Sequence, residues 1–245
     1  MSVSATERRA QYFRDALDMV GRTPLVRLNR VIDDAPCLVL AKVEYVNPGG
    51  SVKDRPAVTM LREAEADGLL RPGATIVEAT SGNTGVGLAM AAAIKGYRCI
   101  LVMPDKMSKE KIDLLRAYGA EVVVTPTNVA ADSAESYYGV ATRLVAEIPG
   151  AFMPNQWHNH WNPDAHYETT GPEIWKQTAG EITHFVSGVG TGGTISGTAR
   201  YLKEKNPAIR VVGADPEGSI YSGDTPKALA IFIKLCGSGH DFPIS

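Results

Sequence analysis

"ATIVEATSGNTGVGLAMAAAIKGYRCILVMP", residues 74–104, decides how the rest of the chain is read. Its first part is an apolar, β-branched run that ends at Thr80. A turn of small residues, Ser81-Gly82-Asn83-Thr84-Gly85, opens an apolar helical stretch, and a second apolar run, "RCILVMP", follows. Both runs are continuously apolar rather than alternating, as in strands covered on both faces. The helical stretch between them is the connection that parallel strands require. The same unit repeats outward in both directions. "CLVLAKVEY", "AEVVVTP", "ITHFVSGV" and "IRVVGADP" read as further strands, and "RPAVTMLREAEADGLL", "KEKIDLLRAYG", "SYYGVATRLVAEI" and "GTISGTARYLKEKN" as helices. The fold class is α/β. Without a repeat, a low-complexity tract or a charged linker, any two domains must share a cleft.

The 245 residues, 44% hydrophobic and 21% charged, suffice for one large or two smaller globular domains. A net charge of -2, with scattered basic residues, excludes an electrostatic nucleic-acid binder and leaves small-molecule chemistry. Cys37, Cys99 and Cys236 lie far apart with no CxxC spacing, so neither a disulfide framework nor a zinc site is implied, and a reducing cytoplasm fits. The first twenty residues are polar, and no apolar stretch approaches the roughly 18 residues of a membrane span, so no membrane partner is expected.

In parallel sheets ligands gather at the carboxyl ends of strands, where loops run into helix starts. Three such loops stand out. In "NPGGSVKDRP", residues 47–56, Ser51 reads as an N-cap with Asp54 nearly completing a capping box. Lys53 there is either a solvated charge or a reactive amine, and a lysine in a first helical turn opposes the macrodipole. The second loop, Thr80 to Gly85, offers hydroxyls, Asn83 and free amides to an anion such as a carboxylate; alternatively its Ser and Thr only satisfy local backbone groups. The third, "SGVGTGGTISGTARYL", residues 187–202, places Gly190-Thr191-Gly192-Gly193-Thr194 before a helix, a nest of amides suited to phosphate. Gly188, Gly190 and Gly193 also satisfy the GxGxxG dinucleotide fingerprint with Asp215 as the ribose acid, although few residues remain to complete such a sheet.

An amine, a carboxylate cradle and a phosphate cradle, each at a helix start, together match pyridoxal 5'-phosphate handling an amino acid. The cofactor's aldehyde bonds a lysine, its phosphate needs backbone donors, and the substrate brings a carboxylate.

On these residues the chain resembles the fold-type II pyridoxal-phosphate enzymes of the cystathionine β-synthase and cysteine synthase family. The resemblance runs from "GRTPLVRLN" to "PEGSIYSGD" and leans toward the cystathionine β-synthases. It implies two three-layer αβα domains with mostly parallel sheets, like the tryptophan synthase β-subunit. A small domain near 50–150 would hold the lysine and the carboxylate loop, and a large one, 1–49 plus 151–245, the phosphate loop. It further implies that Lys53 in "GGSVKDR" holds the cofactor and that Asn83 bonds its 3'-oxygen. Thr80, Ser81, Gly82, Thr84 and Gln156 would bind the substrate carboxylate, and Gly190, Thr191, Gly192, Gly193 and Thr194 the phosphate. The implied reaction is β-replacement through an aminoacrylate: serine and homocysteine to cystathionine or, alternatively, O-acetylserine and sulfide to cysteine. A cytoplasmic homodimer is implied.

The resemblance assigns no metal role to His158, His160 and His166, which read as part of a polar loop. After "YSGDTPK" the sequence departs from the family: only a loose match sets Gly237 and Gly239 on its Gly-x-Gly segment, and the loop that bonds the pyridine nitrogen is missing. The large domain is therefore expected to be incomplete, with an unpaired sheet edge. An inactive fragment that pairs with a full-length subunit is the third reading, beside the β-replacement enzyme and an NAD-dependent oxidoreductase.

Overall fold

A computed structural model describes residues 12–30, 32, 37–130, 132–216 and 231–235. The segments 221–227 and 236–239, singled out above, lie outside these residues. Two short strands, β1 (Leu25–Arg27) and β2 (Leu40–Lys42), pair antiparallel as a ribbon. "CLVLAKVEY" was expected to supply a strand of the parallel sheet, and it does not. Lys42 and Glu44 are drawn into a buried network of charges, which breaks the apolar run after three paired residues.

The helix α1 (Asp54–Ala66) follows and presents Ala57, Met60, Leu61 and Ala64 on one buried face, at the three- and four-residue spacing of an amphipathic helix. Next come β3 (Thr75–Ala79), α2 (Asn83–Lys95), β4 (Arg98–Pro104), α3 (Lys109–Ala117), β5 (Glu121–Thr125) and α4 (Tyr137–Glu147). The strands form a parallel sheet in the order β3-β4-β5. One face packs on the cluster of Ile76, Leu88, Leu101 and Met103 with α1 and α2. The other packs Val77, Ile100 and Val102 against Val140 and Ala141 of α4. Helices α1 and α2 meet closely at Gly87, where a Cβ would lie 2.8 Å from Ala57 Cβ and 3.2 Å from Lys53 O.

Phe152 runs beside β3, bonded to Thr75 and Val77, and leads the chain toward Gln156. The polar loop expected around His158, His160 and His166 turns helical from Trp161 onward: α5 (Trp161–Ala165), a single π-helical turn (His166–Thr170) and α6 (Gly171–Gln177). Its Asn162, His166 and Thr170 are buried and bonded to other protein groups, which composition alone does not reveal. The strand β6 (His184–Gly188), the helix α7 (Gly193–Lys205) and the strands β7 (Arg210–Pro216) and β8 (Ile231–Leu235) complete the described fold. Strands β6 and β7 are parallel, and β8 pairs antiparallel with β7. Ile174, Phe185, Leu202 and Val211 form the core between this sheet and α6 and α7. Among the described residues β6 is an edge strand, and its Val186 is 55% exposed. No described helix is long and apolar enough to cross a membrane.

Candidate active site

Lys53 stands where a tight loop enters α1. Gly50 takes φ +81°, a conformation that favours glycine, and a Cβ on Gly49 would lie 2.4 Å from Asp54 Oδ1. The capping box expected of Ser51 and Asp54 is not formed. Ser51 Oγ accepts from Lys53 N–H at 3.1 Å, and the Asp54 carboxylate reaches back to Gly49 N–H at 2.6 Å, because the Gly-Gly turn folds that amide over the helix start. Burial pushes the Asp54 carboxyl up to about 6. Burial likewise lowers the Lys53 amine below its usual range, which favours the neutral form that a nucleophilic or basic lysine needs.

Beneath this helix start lies a buried cluster of charges that sequence reasoning missed. Arg55, 2% exposed, is gripped by Glu44 (Nε to Oε2 2.8 Å, Nη2 to Oε1 2.9 Å) and by Glu173 of α6 (Nη1 to Oε1 2.7 Å, Nη2 to Oε2 2.8 Å). Lys42 Nζ adds a bond of 2.6 Å to Glu173. Burial alone would raise the Glu173 carboxyl, but Arg55 and Lys42 hold it down to about 2. Partners 11 and 118 positions from Arg55 leave no local pattern to read.

The glycine loop meets α7 from the opposite side. Gly192 takes φ +84°, and a Cβ on Gly190 would meet nothing within 4 Å. Asn162 Nδ2 donates to Thr191 Oγ1 at 2.9 Å, and Thr194 Oγ1 lies 3.2 Å from His166 Nε2. Lys53, Thr170, Gly190, Thr191, Gly192 and Thr194 all line one cleft of about 420 Å³. Gly193 is buried behind it against Asn162. The predicted amine and the predicted phosphate loop therefore share a single cavity.

The remaining predicted residues are arranged differently. Thr80, 1% exposed, accepts from Gly82 N–H and Gly85 N–H at 3.3 Å each, while Ser81 and Asn83 are exposed and Gly82 is half-buried. Buried Thr84 donates its hydroxyl to Gln156 Oε1, so two residues expected at the substrate carboxylate are in contact. None of Thr80 to Thr84 or Gln156 walls the cleft that Lys53 lines; they connect to it through the α1–α2 contact at Gly87. Glu78, also unforeseen, supports this loop by accepting from Asn155 N–H (2.7 Å) and Gln156 N–H (3.1 Å), and burial pushes its carboxyl up to about 7. The described residues include no group of three or more His, Cys, Asp or Glu arranged to hold a metal ion.

The cleft fits a phosphorylated aldehyde. Open space stands over Gly190, Gly192 and Thr194 at the start of α7 line the cleft, and an amine with a lowered proton affinity lines the same walls. A lysine and a glycine-rich anion cradle in one cleft are what a cofactor-dependent enzyme of the imine-forming class requires. The family model described as "Pyridoxal-phosphate dependent enzyme" matches residues 16–229, and the chain belongs to that family. Cystathionine beta-synthase of Rattus norvegicus is 56% identical over 234 residues, covering 93% of this chain and 41% of that protein. Cysteine synthase B of Pseudomonas aeruginosa is 52% identical over 207 residues, 84% of this chain and 68% of that one. The crystal structure of a hydrogen sulfide-producing enzyme from Fusobacterium nucleatum superimposes with a TM-score of 0.82 at 42% identity, covering 89% of this chain and 72% of that one. The chain thus spans about two-fifths of the length of the cystathionine β-synthase that it matches.

Proposed function

We propose that the chain catalyses β-replacement on serine with homocysteine as the incoming thiol, holding pyridoxal 5'-phosphate on Lys53. The observation that carries this reading is that Lys53 and Gly190, Thr191, Gly192 and Thr194 wall the same cleft. When bound, the cofactor supplies an electron sink for the charge left at Cα of the amino acid. The amides of Gly192 and Thr194 and the hydroxyls of Thr191 and Thr194 would hold its phosphate, and Asn83 would bond its 3'-oxygen. With the cofactor in place, Lys53 Nζ, whose proton affinity burial lowers, would be the group positioned to take the α-proton. The amides of Ser81 to Thr84 and the Gln156 side chain receive the substrate carboxylate. Because Thr84 spends its proton on Gln156 Oε1, the Gln156 amide nitrogen is left as the donor for that carboxylate.

The two sheets support a division into a smaller unit, residues 50–150, around β3-β4-β5, and a larger one, 1–49 plus 151–245, around β6-β7-β8. On this division the smaller unit contributes Val52 and Lys53 to the cleft and the larger one the rest of its lining. A cytoplasmic homodimer completes the reading. A second thiol, sulfide, with O-acetylserine as the amino acid, is favoured by the identity to cysteine synthase B over most of that protein's length. The family match leaves the dinucleotide reading of Gly188 to Gly193 without support.

Borohydride reduction of the protein loaded with pyridoxal 5'-phosphate, followed by peptide mass spectrometry, tests the anchor. The pyridoxyl group is expected on the peptide carrying Lys53 and on no peptide of Lys53→Ala; attachment elsewhere would sink the reading. Supplying serine or O-acetylserine with homocysteine or sulfide, and weighing cystathionine against cysteine, decides the thiol.

A further inference from the structure

Two side chains on the segment that precedes α6, four positions apart, reach the glycine loop from behind. Asn162 is 2% exposed, and its Nδ2 donates to Gln156 O at 2.8 Å and to Thr191 Oγ1 at 2.9 Å. A carbonyl only accepts, so the bond to Gln156 O settles which end of the Asn162 amide faces the loop. Thr191 Oγ1 also lies 3.5 Å from Gly193 N–H. With donors on both of its lone pairs, the Thr191 hydroxyl has only its proton left to offer to the cleft.

His166 does the same one turn on. It is wholly buried and bridges two hydroxyls, Thr194 Oγ1 at 3.2 Å from Nε2 and Thr170 Oγ1 at 2.9 Å from Nδ1; both threonines line the cleft. Burial, with Lys53 and Arg55 nearby, pushes the imidazole down to about 3, so it carries a single N–H. One threonine therefore receives that N–H, and the other must give its own proton to the bare nitrogen. If Nε2 were bare, Thr194 would spend its proton there and turn lone pairs toward an anion. The close approach is built into α7: a Cβ on Gly193 would lie 2.2 Å from Asn162 Oδ1, and one on Gly197 would lie 1.9 Å from Pro163 O and 3.0 Å from His166 Cβ.

We propose that Asn162 and His166 are positioning residues that hold the Thr191 and Thr194 hydroxyls with their protons toward the cleft, as donors to a phosphate monoester, with His166 in the Nε2–H tautomer. This rests on the phosphate-cradle reading given above. Thr170 then gives its proton to Nδ1 and presents lone pairs to the cavity that Lys53 shares.

Long-range proton–nitrogen correlation on protein carrying labelled histidine reads the tautomer directly. A protonated Nε2 with a bare Nδ1 is expected, and the reverse would overturn the proposal. A pair of variants tests the consequence: the amide of His166→Gln reaches the Nε2 position, whereas that of His166→Asn reaches only Nδ1. Affinity is measured for pyridoxal 5'-phosphate and, in parallel, for pyridoxal, which lacks the phosphate. His166→Asn and Asn162→Ala are expected to weaken the phosphorylated ligand about tenfold and leave pyridoxal unchanged, the size of one charge-assisted hydrogen bond, while His166→Gln stays within about twofold of the parent. Equal losses for both ligands, or for both His166 variants, would overturn the proposal. If the parent itself prefers neither ligand, the cradle reading fails, whatever the tautomer. Should a variant not fold, the tautomer of the parent still decides.

Discussion

Arg55 Nη1 lies 2.7 Å from Glu173 Oε1, and this contact ties the second residue after Lys53 to a helix 118 positions further along the chain. Glu44 grips the same guanidinium from the other side, and Asn47 joins Glu44 to the loop by donating to Glu44 Oε2 at 2.9 Å and to Ser51 O at 3.1 Å. The helix start that carries Lys53 is therefore held on both sides by charges that cannot move without leaving a partner buried and unpaired.

Arg55→Leu leaves Glu44 and Glu173 facing each other with only Lys42 to offset them. Urea denaturation at neutral pH is expected to show a loss of about 3–5 kcal/mol, as for other buried pairs that lose one partner. A loss near zero would mean that the network contributes no net stability.

Glu78 and His166 give opposite slopes to stability against pH. Glu78 titrates near 7 in the fold and near 4.5 when unfolded, so its contribution is full below 4.5 and is lost as pH rises through 7. For His166 the folded value lies near 3 and the unfolded one near 6.5, so its contribution is present above 6.5 and is lost as pH falls toward 3. Relative to Glu78→Gln, the parent is expected to lose up to about 3 kcal/mol between pH 4.5 and 8, read from urea midpoints across that range. A constant difference would mean that Glu78 stays ionised throughout.

Two glycine substitutions separate folding from binding. Gly197→Ala places a methyl against backbone at Pro163 O, which cannot give way, and is expected to cost about 3 kcal/mol or more. Gly190→Ala points into open space, so thermal unfolding should stay within about 0.5 kcal/mol of the parent while affinity for pyridoxal 5'-phosphate falls at least about tenfold. Unchanged affinity in Gly190→Ala would remove the phosphate from this cleft.

Thr84→Val keeps the shape of the side chain and removes the proton given to Gln156 Oε1. If that bond leaves the Gln156 amide nitrogen as the carboxylate's donor, KM for the amino acid should rise about tenfold with kcat little changed, the mark of lost ground-state binding. A fall in kcat at constant KM would place Thr84 at the reacting atoms instead.

Much of this molecule is local and was therefore readable from its sequence. "RCILVMP" is β4 residue for residue, and "TGVGLAMAAAIKG" is α2 to within one residue at each end, because apolar periodicity and a glycine at the C-terminus act over a few neighbours. Gly50 and Gly192 could be read as turns for the same reason, and Lys53 and Gly190 to Thr194 as candidates for one chemistry. What the tertiary structure alone decided is which polar groups meet. Glu44, Arg55 and Glu173 come together, and Asn162 and His166 settle behind Thr191 and Thr194, where a sequence reader sees only a polar loop. A buried charge or amide can be satisfied by any segment that the chain crossing brings within about 3 Å, and no short-range rule says which segment that will be.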